Sequence, residues 1–174
     1  GTCVPYIYGC TNPLACNYDS TANTDDGSCL TAYGCMDPLA VNYDPSATCD
    51  DGSCVYCSPT TVTYVTQGFG SEQAFTIEDL TGTVLLSVSG QASNTTTTHS
   101  LCLLDGCYTI NMTDGYGDGW STGSNVTVSI AGSATVTGTI PSIWPAGPGG
   151  YANSELFSVG SVSCTYGCTD STAT

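Results

Sequence analysis

Tyr108-Thr109-Ile110-Asn111-Met112-Thr113 alternates apolar and polar residues over six positions. Successive side chains of a strand project to opposite faces, so Tyr108, Ile110 and Met112 share one side and Thr109, Asn111 and Thr113 the other. Such a segment is a strand with one face buried and one face wet. The same period returns on both sides of it. Val62 and Tyr64, Phe75 and Ile77, and Val84, Leu86 and Val88 lie upstream; Val126, Val128 and Ile130, then Val136 and Ile140, lie downstream. Thr and Ser fill the alternate positions, Gly-containing turns part the runs, and no window carries a helical period. The chain is therefore expected to be mainly β, with an antiparallel β-sandwich or jelly roll over residues 57–164. Cys57 and Cys164 bracket this domain and are expected to clasp its ends. Cys102 and Cys107 flank Leu103-Leu104-Asp105-Gly106, a turn sequence, and are expected to staple a hairpin.

Small loop-rich repeats precede this domain, over residues 8–32 and 33–56. Tyr8-Gly9-Cys10 opens a unit that closes at Asp25-Asp26-Gly27-Ser28-Cys29. The same words return 25 residues later, from Tyr33-Gly34-Cys35 to Asp50-Asp51-Gly52-Ser53-Cys54, with 15 of 22 positions identical. Units this short bury too little surface to fold unaided, so disulfides must supply stability. Cys10–Cys29 and Cys35–Cys54 would each close one repeat. Cys16 has Val41 as its counterpart and Cys49 has Thr24, so these two odd cysteines are expected to pair across repeats.

Partial units flank the whole. Gly1-Thr2-Cys3, within residues 1–7, reads as the close of a preceding repeat. Tyr166-Gly167-Cys168-Thr169-Asp170, within residues 165–174, reads as the opening of a further one. Two arrangements follow. Either this is one period of a longer tandem chain, or identical chains join head to tail into an open polymer. In the second case Cys168 of one copy would bond Cys3 of the next, or a terminal segment would donate a strand to its neighbour.

Composition narrows the partners. The chain has no Lys or Arg among 174 residues and 15 Asp and Glu, a formal charge of −15. Average usage would supply about 19 Lys and Arg. A chain without cations cannot neutralise phosphates, which excludes nucleic acid, and an anionic membrane surface would repel it. No apolar run approaches the ~20 residues of a membrane span, so no membrane insertion is expected. Twelve cysteines point to an oxidising, extracellular setting. The carboxylates must be solvated, capped by backbone N–H groups, or met by metal ions.

The repeat wording, Tyr-Gly-Cys-x-(Asn/Asp)-Pro-Leu-Ala-x-Asn-Tyr-Asp through Asp-Asp-Gly-Ser-Cys, resembles a cysteine-rich module of large secreted surface proteins from aquatic bacteria and some algae. Asp114-Gly115-Tyr116-Gly117-Asp118-Gly119-Trp120 after the Tyr108 strand resembles a β-sandwich module found beside it. The resemblance implies an extracellular, modular, adhesive or structural role and carries no enzymatic activity.

Individual residues fit that role. Asn94-Thr95-Thr96, Asn111-Met112-Thr113 and Asn125-Val126-Thr127 are three N-glycosylation sequons. Strand alternation turns Asn111 and Asn125 outward, and the Thr-rich stretch 94–98 reads as a loop or exposed edge open to O-linked sugar as well. Asn17, Asp19, Asp25 and Asp26, with Asn42, Asp44, Asp50 and Asp51, offer the hard oxygens that Ca²⁺ takes, but the same residues make Asx turns with no ion. Asp114 and Asp118 pose the same choice; no cofactor is required. His99 is the only histidine, and with no Lys or Arg beside it catalysis has no foothold, so the chain reads as a non-enzyme. Trp120, Trp144, Tyr116 and Tyr151 lie in Gly- and Pro-rich loops where rings can stack on sugars, or else Trp120 and Trp144 plug the ends of the β domain. The expected function is a glycosylated subunit of a head-to-tail fibre or surface array; the competing one is a carbohydrate-binding or adhesion module of a larger surface protein.

Overall fold

A computed structural model describes residues 4–131, 135–139 and 151–165. Gly1-Thr2-Cys3, Ile140, Trp144, the opening at 166–170 with Cys168, and the side chain of Tyr151 lie outside the described residues. The chain divides into two compact units, Gly1–Tyr56 and Cys57–Thr174.

Within the first unit each repeat is a loop pinned by one short parallel pair. β1 (Tyr8–Gly9) pairs with β2 (Thr24–Asp25), and β3 (Tyr33–Gly34) pairs with β4 (Cys49–Asp50). Side chains do the rest. Asn17 donates to the Ser28 carbonyl at 2.7 Å and accepts from the Leu30 N–H at 2.8 Å. Asn42 makes the same pair of bonds, to Ser53 at 2.7 Å and from Val55 at 2.8 Å. Gly27 and Gly52 hold φ of 77° and 73°, the left-handed turn that gives Asp-Asp-Gly its glycine. Cys10 bonds Cys29 and Cys35 bonds Cys54, while Cys16 bonds Cys49 across the repeats at a Cα separation of 6.0 Å. Only Cys10, Ala15, Cys35, Ala40 and Cys49 are buried hydrophobics in this unit among the described residues.

The second unit is two four-stranded antiparallel sheets. β5 (Ser58–Val65), a 3-10 turn (Gly70–Glu72), β6 (Gln73–Asp79), β7 (Val84–Ser89), β8 (Thr96–Leu103), β9 (Gly106–Asp114), β10 (Asn125–Ile130), β11 (Thr135–Gly138) and β12 (Tyr151–Val159) follow in order. The first sheet runs β11-β10-β5-β8 and the second β12-β9-β6-β7. Their buried faces contribute to one cluster, with Val62, Tyr64, Val126, Val128 and Ile130 from the first and Phe75, Ile77, Ile110, Met112, Phe157 and Val159 from the second. Tyr64 meets Phe75 edge-on at 5.0 Å. The outer face of the first sheet is hydroxyl-rich: register aligns Thr137, Thr127, Thr63 and Thr98 in one row and Thr135, Ser129, Thr61 and Ser100 in the next.

Three expectations change. Cys57 pairs with Cys102, not Cys164, and Cys107 pairs with Cys164, not Cys102. Leu103-Leu104-Asp105-Gly106 is no hairpin: it carries the chain from β8 in one sheet to β9 in the other, so Cys102 and Cys107 belong to different sheets. Each disulfide instead ties a strand to the chain flanking its partner strand in the same sheet, Cys102 of β8 to Cys57 just before β5 and Cys107 of β9 to Cys164 beyond β12. The third concerns Val84, expected on the buried face. A bulge between Ile77 and Glu78 sets Leu86 opposite Ile77 but Val84 opposite Glu78, and Val84 is exposed. No helix among the described residues is long and apolar enough to cross a membrane.

Candidate functional site

At one end of the second unit, Asp114 closes β9 with its side chain buried. Its carboxylate gathers the following loop, accepting N–H bonds from Tyr116 at 3.4 Å, Gly117 at 3.2 Å and Gly119 at 2.6 Å. The Gly115 N–H donates to the Glu72 carbonyl at 2.8 Å, tying the loop to the chain entering β6. Trp120 then turns inward; its indole N–H donates to the Thr113 carbonyl at 3.0 Å and its ring lies 5.6 Å from Tyr64. The loop and the turn before β6 thus set one carboxylate oxygen each of Glu72, Asp114 and Asp118 within 4.8 Å of one another. A cleft of about 340 Å³ opens beside them, lined by Phe69, Glu72, Tyr116 and Asp118. Phe69 (67% exposed) and Tyr116 (62% exposed) present their rings to solvent there. Phe69 does so from a left-handed backbone, φ 54°.

Of the four aromatics weighed as sugar platforms, Trp120 is buried in the core and Tyr116 is exposed. Asp114 and Asp118 meet at this site. Glu72 and Phe69 carry no motif; they arrive only because β6 pairs with β9, which sets Gln73 opposite Asp114.

The repeat carboxylates hold turns. Asp19 accepts from the Thr21 hydroxyl at 2.7 Å and N–H at 2.8 Å, and Asp44 from the Ser46 hydroxyl at 2.6 Å and N–H at 2.8 Å. Asp25 and Asp50 accept from Gly27 and Gly52, and Asp26 and Asp51 from Ser28 and Ser53. The hydroxyls of Thr21 and Ser46, helped by the backbone N–H groups, hold the Asp19 and Asp44 carboxyls below the ordinary aspartate range. Among the described residues, the only cluster of three carboxylates close enough to share an ion is the Glu72–Asp114–Asp118 group.

The sequons sit in three settings. Asn94 is exposed in the turn before β8 at φ 57°. Asn111 is half-buried within β9, where its carbonyl accepts from Ser154 at 2.7 Å. Asn125 starts β10 and donates to the Gly123 carbonyl at 3.1 Å. His99 lies on β8 opposite Val62, its Nε2 buried with no hydrogen-bond partner. Compared with family models, curated proteins and solved structures, the chain finds no match.

Proposed function

We propose that this chain is an extracellular structural protein, the glycosylated subunit of a head-to-tail fibre or surface array, whose larger unit is a two-layer β-sandwich. The observation that carries the reading is the Cys16–Cys49 bond together with the duplicated Asn17 and Asn42 clamps. Each repeat holds its shape by the same bonds, and one staple fixes it to the next, which is how a stiff connector is built from units too small to fold alone. In this reading Cys168 of one copy and Cys3 of the next complete a repeat between neighbours, and N-linked glycans at Asn94, Asn111 and Asn125 coat the body. Five disulfides among the described residues fit an oxidising, extracellular location.

Non-reducing against reducing electrophoresis, with mass spectrometry of terminal peptides, tests this. A ladder that collapses on reduction, with a Cys168–Cys3 crosslinked peptide, is the expected result. A peptide running from Thr174 into further repeat sequence would overturn assembly from separate subunits.

A second reading, a carbohydrate-binding or adhesion module, is favoured by the exposed Phe69 and Tyr116 rings flanking the acidic cleft. Calorimetric titration with neutral oligosaccharides separates it: binding abolished by Tyr116→Ala supports the second reading over a purely structural one.

A further inference from the structure

Glu72, Asp114 and Asp118 form a concentration of negative charge that no Lys or Arg of this chain can offset. One carboxylate oxygen of each lies within 4.8 Å of the others, and the sequence contains no Arg or Lys to set against them. A second observation comes from the neighbouring strand. Gln73 is 1% exposed, and its carboxamide Oε1 is buried with no donor, although its Nε2 donates to the Gly68 carbonyl at 3.1 Å. Gln73 pairs directly with Asp114 in the β6–β9 register, and both side chains are buried. Directly opposed residues of an antiparallel pair project to the same side. A buried amide oxygen without a donor therefore sits on the side chain that opposes Asp114 in the register and projects to the same side of the sheet. Leaving such a group unmet is costly, and a cation meets both it and the carboxylates.

We propose that this end of the β domain is a Ca²⁺ site, with Glu72, Asp114 and Asp118 as carboxylate ligands and Gln73 Oε1 as a neutral one. The donor set is all oxygen, which selects a hard cation over zinc, and the mixture of loop and strand donors suits the irregular coordination of Ca²⁺ better than the strict octahedron of Mg²⁺. Asp114 already accepts three N–H bonds, and a carboxylate has about four acceptor positions, so it retains room for an ion. The open cleft lined by Phe69, Glu72, Tyr116 and Asp118 provides the path of entry. Bound there, the ion ties the 115–119 loop to the start of β6.

The full chain, stripped with EDTA, is titrated with CaCl₂ by calorimetry, and its thermal unfolding is followed with and without Ca²⁺. One saturable Ca²⁺ per chain and a raised Tm are expected. Asp118→Asn and Glu72→Gln should each weaken affinity by roughly tenfold or more, because ligand charge sets affinity in such sites. Gln73→Met should stabilise the ion-free protein while weakening Ca²⁺ binding, a reversal that a merely structural glutamine would not give. The paired control Asp26→Asn with Asp51→Asn should leave the titration unchanged. Heats that do not saturate, a Tm gain matched by NaCl at equal ionic strength, or equal binding by the Asp118→Asn and control variants would each overturn the site. None of these outcomes bears on whether subunits join through the repeats.

Discussion

Asp114 shows how much one buried carboxylate can organise. It holds three loop N–H groups, and Asp114→Asn would turn an amide hydrogen toward at least one of them. In EDTA, where any ion is absent, this substitution should cost about 1–3 kcal/mol, the usual penalty for a buried polar group left unmet; equilibrium denaturation in guanidinium measures it. The exposed repeat aspartates behave differently. Asp44 is held below its ordinary range first by the Ser46 hydroxyl and then by the Ser46 N–H. A carboxyl whose folded value is depressed stabilises the fold above its unfolded value, about 3.9, and that contribution is lost as pH falls through the lower folded value. The second repeat should therefore loosen only below about pH 4. Ser46→Ala should move the Asp44 titration, followed by carboxyl NMR shifts, back toward the ordinary range. Tyr64 runs the other way: burial pushes its phenol up to about 12. Its contribution is intact below about 10, its ordinary value, and is lost as pH rises through the folded one, so an ultraviolet titration should show Tyr64 among the late-ionising tyrosines, together with Tyr56 and Tyr108, whose phenols are also raised. Turn roles of this kind were legible in Asn-Tyr-Asp and Asp-Asp-Gly. Glu72 and Gln73 were not, because only the β6–β9 register brings them to Asp114.

Among elements, the alternation of Tyr108, Ile110 and Met112 told the buried face of β9 without ambiguity, since a strand with one wet side admits no other phase. Period alone could not place β8. Thr96-Thr97-Thr98-His99-Ser100 has no apolar alternation, yet Thr97 and His99 face inward opposite Tyr64 and Val62. Nor could it see that β8 and β9 lie in different sheets, which is why proximity in sequence misassigned Cys102 to Cys107. Val84 fell to a bulge, a one-residue slip that hydropathy does not record. The repeats were more legible because each is a copy of the other: a cysteine present in one and absent in its counterpart has to find a partner elsewhere. The chain itself supplies the test, since the second repeat has Val41 where the first has Cys16, and the first has Thr24 where the second has Cys49. Cys16→Val with Cys49→Thr leaves each repeat its own disulfide and removes only the bond between them. The loss should be about 2–4 kcal/mol for a crosslink spanning 33 residues, read as faster amide exchange at Thr48 and Cys49 while the second unit is unaffected.

For the whole molecule, the charge of −15 with no Lys or Arg means that nearly every long-range pair of charges repels. Ordinary proteins lose some surface ion pairs as salt rises; this one has almost none to lose. Raising NaCl from about 0.01 M to about 0.15 M shortens the screening length from about 30 Å to about 8 Å. Thermal stability should therefore rise by a few degrees over that range, where a protein held by surface salt bridges would lose stability. The same repulsion acts between copies. Two molecules can approach closely only through surfaces that carry no carboxylate, and the hydroxyl rows of the first sheet, Thr137-Thr127-Thr63-Thr98 and Thr135-Ser129-Thr61-Ser100, make one such surface. Lateral association should accordingly be weak at low salt and grow with ionic strength, whereas a disulfide through Cys168 and Cys3 is indifferent to salt once formed. Light scattering across a NaCl series, run with and without reductant, resolves the two. A mass that climbs with salt and falls back on dilution measures the lateral contact, and a mass that is constant with salt but collapses with reductant measures the covalent one. If scattering fell as salt was added, electrostatic attraction would be holding the copies together, and the charge argument for this molecule would be wrong.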